Sequence, residues 1–264
     1  MKRSITFHLI QWRVIPGDIE GNFVRAQELI GSADIGKGDL VILPEVFPTG
    51  FHYEALGYLA DRSDEVLSWM AEIASRHEIG LAGSMPTRRS AGVANTMVLV
   101  NRVGEVLTSY DKIHLFSVTD EDRHFIPGNQ TVVTSWENLN MGLAICFDLR
   151  FPEMTRKLAQ EGVQIVLVSA QWPQARIDHF RDLVRVRAIE NQMFMVACNS
   201  CGDDGKGLVL GGGSTVVGPS GEVMGALGQE EGVLTVTIDV DEVERVREAF
   251  PVLKVRRKDL FGSK

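Results

Sequence analysis

The sequence predicts an α/β fold in which mixed sheets are covered by helices. Segments of strand and helix character interleave from one end of the 264 residues to the other. Hairpin patterns stand beside strand–helix–strand patterns, which argues against a pure doubly wound sheet. No stretch rich in Pro, Gly or Ser and no repeat of solenoid period divides the chain. One domain over residues 1–264 is therefore the simplest account of the length.

The elements follow in order. Ile5-Thr6-Phe7-His8-Leu9 alternates as a half-buried strand does. Asn22 is expected to cap a helix with the apolar face Phe23, Ala26, Leu29 and Ile30. Residues 39–43 form a short apolar run ending at Pro44-Glu45, a buried strand with a carboxylate at its C-terminal end. Val66, Leu67, Met70, Ile73 and Ala74 give a second amphipathic helix, and residues 79–83 a strand. Residues 96–100, the turn 101–104 and residues 105–110 read as a hairpin. The pattern then repeats: a strand at 141–147, a helix opening at Pro152, a strand at 164–169, a long helix at 177–192 and a strand at 193–198. A late β region covers 213–218, 222–225 and 233–238, turning at Pro219-Ser220-Gly221. Asp241 with Glu244 reads as a capping box for a last helix.

Composition narrows the function classes. Hydrophobic residues make up 44% and charged residues 23%, which is globular rather than disordered. The formal charge of −8 argues against a general nucleic-acid binder, which must neutralise phosphates. The basic run Lys254, Arg256, Arg257 and Lys258 reads as a solvated or partner-facing tail. Three cysteines do not make a disulfide framework and suit a reducing compartment. The run after Met1-Lys2-Arg3 is broken by Thr6 and His8 and is too short for a signal peptide. Nothing approaches the roughly 20 apolar residues of a membrane span. A cytoplasmic protein with no membrane partner is expected.

Chemistry gathers at a few positions. Cys146 ends an apolar strand just before a turn, Asp148-Leu149-Arg150-Phe151-Pro152, that leads into a helix. A side chain at such a corner faces a cleft, the following N–H groups can meet developing negative charge, and a helix N-terminus would lower the thiol pKa. A buried structural cysteine is the alternative on position alone. Glu45 is either a cap or a base in an apolar pocket. Lys112 alone reads as a surface lysine after a strand, and His114 as a hydrogen-bonded structural histidine. His, Asp and Cys are not clustered at metal-binding spacing.

Leu43-Pro44-Glu45, Asp111-Lys112-Ile113-His114-Leu115-Phe116 and Cys146-Phe147-Asp148-Leu149-Arg150-Phe151-Pro152-Glu153 occur in that order. This series resembles the nitrilase superfamily of carbon–nitrogen hydrolases. The likeness extends through Arg187-Ala188-Ile189-Glu190-Asn191-Gln192, Gly213-Ser214 and Pro219-Ser220-Gly221. Ala170-Gln171-Trp172-Pro173, Arg176 and Phe250-Pro251-Val252-Leu253 are similar to the omega-amidase branch, which hydrolyses the side-chain amide of 2-oxoglutaramate or 2-oxosuccinamate. The resemblance implies a four-layer αββα sandwich, no metal or organic cofactor, a small amide substrate, and a homodimer or higher homo-oligomer with residues 250–264 near the contact. It also implies Glu45 as base, Lys112 and the Phe147 N–H as oxyanion donors, Cys146 as nucleophile and Glu121 as the second glutamate. Asp-Glu stands at 120–121 where the family more usually has Gly-Glu, and Phe147 stands where Tyr is frequent. Trp172, Phe116, Phe51 and Arg176 are candidate substrate contacts, with core packing for Trp172 and a surface role for Arg176 as the alternatives.

Other classes compete. Cys198-Asn199-Ser200-Cys201 is a single C-x-x-C, which fits a redox or metal role only weakly without a second pair. Gly211-Gly212-Gly213-Ser214-Thr215 lacks the lysine of a phosphate loop. A serine amidase using Lys112 and Ser214 would need those two residues in quite different motifs. Deaminated glutathione, N-carbamoyl amines and nitriles remain rival substrates within the superfamily.

Overall fold

A computed structural model describes residues 3–261. Met1 and Lys2, in the basic start, and residues 262–264, at the end of the C-terminal tail, lie outside the described residues. In chain order the elements are β1 (Ser4–Gln11), α1 (Ile19–Ser32), β2 (Leu40–Ile42), α2 (Leu56–Asp61), α3 (Ser63–His77), β3 (Gly80–Arg89), β4 (Gly92–Val100) and β5 (Val106–Asp111). There follow α4 (Glu121–His124), β6 (Val133–Trp136), β7 (Leu139–Ile145), α5 (Pro152–Gln160), β8 (Ile165–Ala170), α6 (Ile177–Asn191) and β9 (Phe194–Asn199). The last are β10 (Cys201–Asp203), β11 (Val209–Gly211), β12 (Thr215–Val217), β13 (Val223–Ala226), β14 (Gly232–Asp239), α7 (Asp241–Ala249) and α8 (Lys258–Phe261).

Two six-stranded sheets result, ordered β14-β1-β2-β3-β4-β5 and β13-β12-β9-β8-β7-β6. Each has three parallel strands at its centre (β1, β2 and β3; β7, β8 and β9) flanked by antiparallel neighbours. The strand period of two sorts side chains between layers. Phe7, Leu9, Leu40, Ile42, Met97 and Leu99 of the first sheet share one core with Leu143, Ile145 and Leu167 of the second. The alternate residues Ile10, Val41, Leu43, Val98 and Val100 pack instead with α1 and α3, where Phe23 stacks on Trp69 at 4.6 Å. Helices α5 and α6 cover the other sheet, and Gly142 allows the close approach, since a Cβ there would meet Leu158 at 2.9 Å. The architecture is the four-layer αββα sandwich.

Two helix starts differ from expectation. Asp18, not Asn22, caps α1, its carboxylate accepting the Gly21 N–H at 3.0 Å. Asn22 is buried inside the helix, where its amide bonds the Ile15 backbone and the Pro48 carbonyl. It thus ties α1 to the loop that carries Glu45. Val240 precedes α7 without a side-chain cap, because Asp241 and Glu244 instead pair with Arg3 at 2.7 and 2.8 Å. No helix among the described residues is long and apolar enough to cross a membrane.

Candidate active site

Parallel strands leave a crevice beyond their C-terminal ends, where loops diverge. Here Glu45 follows β2, Cys146 follows β7 and Gln171 follows β8; Lys112 follows β5 on the neighbouring hairpin. The two sheets are stitched at this end. Ser169 Oγ donates to the Leu43 carbonyl at 2.8 Å, and the Glu45 N–H donates to the Ala170 carbonyl at 3.3 Å.

The sequence-distant residues Glu45, Lys112, Glu121 and Cys146 meet in one pocket and are all buried, Cys146 the most open at 8% exposure. Lys112 is therefore no surface lysine. Its Nζ donates to Glu45 Oε1 at 2.7 Å and to both oxygens of Glu121 at 2.9 and 2.8 Å. Glu121 reaches inward because the chain folds back after Lys112, and its Oε2 accepts the Phe116 N–H at 2.7 Å. Glu45 Oε2 accepts the Gln171 N–H at 3.0 Å, while Gln171 Nε2 donates to the Glu45 carbonyl at 2.8 Å. The Glu45 loop is strained: Val46, β-branched, sits at φ 38°.

Cys146 occupies a similar corner. The strand ends at Ile145, and Cys146 turns at φ 44° into a 3-10 helix over Cys146–Arg150. The leading N–H groups of such a turn have no intrahelical partner, so Phe147 N–H is available to an acceptor. Asp148 holds the corner. Its carboxylate accepts the Ile145 N–H at 2.9 Å, Tyr110 Oη–H at 2.7 Å, and the His114 N–H and Nδ1 at 3.1 and 2.8 Å. Tyr110 and His114 flank Lys112, so one buried carboxylate locks the cysteine turn to the lysine strand. His114 is the structural histidine expected.

Electrostatics corrects one expectation. The Cys146 thiol is not lowered by its helix start; burial and the Glu45 carboxylate push it well above its ordinary value, against the pull of Lys112. Burial also raises Glu45, with Glu121 adding to the rise and Lys112 opposing it. Burial alone would lower Lys112, but Glu121, Glu45 and Cys146 overcome it and hold the ammonium charged far into the basic range. The resting site thus keeps the thiol proton on Cys146 beside the Glu45 carboxyl group and a charged Lys112 ammonium.

These groups line a cavity of about 260 Å³ with Phe51, Phe116, Phe147 and Trp172 among its apolar walls. Trp172 also packs on Phe180, ring centroids 5.5 Å apart, so its wall and core roles coincide. Arg176 reaches the rim. Arg150, not singled out from the sequence, also lines the cavity, its guanidinium carbon 4.9 Å from the Trp172 ring centroid. Burial and the nearby Arg176 lower its affinity for a proton. Neither arginine has a carboxylate partner among the described residues. Asn95 and Gln171 were also missed as parts of the site. Gln171 lies within Ala170-Gln171-Trp172-Pro173, whereas nothing in the local pattern of β4 marks Asn95.

The rival motifs are absorbed by structure. Cys198 and Cys201 are buried free thiols; Cys198 Sγ donates to the Ile10 carbonyl at 3.2 Å, and burial pushes Cys201 up to about 12. Ser214 is buried between Gln11 and Asn199, donating to Gln11 Oε1 at 2.8 Å and accepting the Asn199 N–H at 2.9 Å.

Fold and pocket together describe an αββα enzyme with a closed thiol–carboxylate–ammonium site. The chain belongs to the carbon–nitrogen hydrolase family, whose profile matches residues 9–248. It is 34% identical to the 2-oxoglutaramate amidase of Bacillus subtilis (strain 168) over 258 residues, 97% of this chain and 99% of that protein. A CN-hydrolase superfamily protein of Xanthomonas campestris, solved with an arsenic adduct in its active site, superposes with a TM-score of 0.90 at 30% identity, covering 99% and 98% of the two chains. A mutant amidase from Nesterenkonia sp. AN1, with the acetamide moiety of fluoroacetamide covalently added at its active-site cysteine, superposes with a TM-score of 0.87 at 32% identity, covering 97% and 95%. The chain is an amide hydrolase of the nitrilase superfamily, most similar to its omega-amidase branch.

Proposed function

We propose that this enzyme hydrolyses the terminal amide of a small 2-oxo acid, 2-oxoglutaramate or 2-oxosuccinamate, through a cysteine thioester. The observation that carries the reading is the pairing of a buried Cys146–Glu45–Lys112 group with Arg150 and Arg176, which have no carboxylate partner among the described residues, on one small cavity. The similarity to a 2-oxoglutaramate amidase over nearly the whole of both chains supports it.

The steps balance on these side chains. The Cys146 thiol proton passes to Glu45 as sulfur bonds to the amide carbon. The oxyanion is held by the Lys112 ammonium and the Phe147 N–H; one such donor is worth about 3–4 kcal/mol in the transition state. Glu45 returns the proton to nitrogen as the carbon–nitrogen bond breaks, and ammonia leaves a thioester. Glu45 then takes a proton from water, whose oxygen attacks the thioester carbon. The carboxylic acid departs and the thiol re-forms with that proton. Glu121 fixes Lys112 and balances its charge. Arg150 and Arg176 pair with the substrate's own carboxylate, which an acidic protein must meet with local positive charge. A free reactive thiol suits the reducing cytoplasm.

The test is an ammonia-release screen over 2-oxoglutaramate, 2-oxosuccinamate, deaminated glutathione, N-carbamoyl amines and simple nitriles. The 2-oxo acid amides should lead. Arg150→Ala and Arg176→Ala should raise KM for them and leave a neutral short amide unaffected. Equal effects on both substrates would remove the carboxylate pairing.

A further inference from the structure

We infer that Asn95 is a positioning residue that dictates which oxygen of Glu45 receives the cysteine proton. The inference rests on the reading of Glu45 as the base. Asn95 sits at the site end of β4, fully buried. Its backbone carbonyl accepts the Lys112 N–H at 2.9 Å. Its Nδ2 donates to Glu45 Oε1 at 2.9 Å and lies 3.3 Å from Glu121 Oε1. One neutral side chain therefore bridges the two carboxylates, and its main chain anchors the Lys112 whose ammonium lies between them.

The bonding makes the two oxygens of Glu45 unequal. Oε1 accepts from both the charged Lys112 and Asn95, while Oε2 accepts the uncharged Gln171 N–H. A carboxylate oxygen holding two donors, one of them charged, is the poorer proton acceptor. The thiol proton is thus directed to Oε2. The amide orientation is fixed by chemistry, because carboxylates only accept and so demand the NH₂ group. Asn95 also supplies donors without charge. With one ammonium shared by two carboxylates, an added cation or anion would shift the balance, whereas an amide stabilises both carboxylates and leaves it unchanged. The titratable groups facing Glu45 are Lys112 after β5, Glu121 from α4 and Cys146 after β7, with Tyr53 further out.

Asn95→Leu keeps the volume and removes the donor; Asn95→Ser keeps a shorter donor. With 2-oxoglutaramate, and with thermal unfolding recorded for each variant, Asn95→Leu should lower kcat about tenfold or more at neutral pH and leave KM unchanged. The acid limb of its kcat/KM profile should move up by about one pH unit. Asn95→Ser should fall between wild type and Asn95→Leu in both. Folded variants with the wild-type acid limb, or a loss confined to KM, would overturn the inference. Should Asn95→Leu fail to fold, the limb of Asn95→Ser decides in the same way. Glu45→Gln is measured alongside. If it is inactive while the Asn95 variants keep the wild-type limb, the Asn95 inference alone falls; if it keeps full activity, the reading of Glu45 falls and takes the inference with it.

Discussion

In the proposed mechanism Cys146 attacks from an unfavourable place for a thiolate. Burial and a neighbouring carboxylate hold its proton on, so the nucleophile must be made at the moment of attack, by Glu45, rather than stored. That requires Glu45 to be ionised when substrate arrives. Its proton affinity is raised by burial and by Glu121 above the ordinary value of 4.5. Activity is therefore present above the raised value and lost as pH falls through it. The acid limb of kcat/KM for ammonia release should lie above pH 4.5, and a limb at or below that value would contradict the assignment. Lys112 stays charged far above its ordinary 10.5, so loss of its proton should set no limb in the neutral range.

Elements matter here through the bonds that fix their ends. Asp148 joins the end of β7 to Tyr110 and His114 on either side of Lys112. Asp148→Ala would strand the buried Ile145 N–H without an acceptor and leave the Tyr110 hydroxyl only the weak Met154 sulfur at 3.6 Å. Urea unfolding should show a loss of about 3 kcal/mol or more, with activity falling as well. A change under about 1 kcal/mol would mean that the corner is held by packing instead. Local sequence marks some of these elements and not others. Strands such as β2 and β8 announce themselves by apolar runs, and the hairpin of β4 and β5 by its turn. Glu45, Lys112 and Cys146 are legible because each stands at a strand end inside a recognisable segment. Asn95 is not, because its partner Glu45 lies fifty residues away along the chain and only strand pairing brings them together. Asn22 and Asp241 each satisfy a local capping rule, yet a partner distant in the chain, Pro48 or Arg3, claims the side chain.

At the scale of the whole molecule, both faces of each sheet are covered, but part of the outer helical layer presents apolar side chains. Val186 and Ile189 on α6 are 45% and 44% exposed, and Phe250, just past α7, is 69% exposed. We propose that this layer packs against a second copy. Light scattering after size-exclusion chromatography should give twice the mass of 29.2 kDa, and Ile189→Glu should yield monomer; a wild-type monomer at micromolar concentration would contradict it. The sandwich matters most, however, because it carries four strand ends from two sheets, those of β2, β5, β7 and β8, to one cavity. The most direct check on that convergence is peptide mass mapping of enzyme acid-quenched during turnover of 2-oxoglutaramate. The account predicts an acyl group on the peptide containing Cys146, and neither adduct nor ammonia from Cys146→Ala. Continued ammonia release by Cys146→Ala, or turnover with no acyl group on that peptide in rapidly quenched samples that capture a pre-steady-state burst, would contradict it.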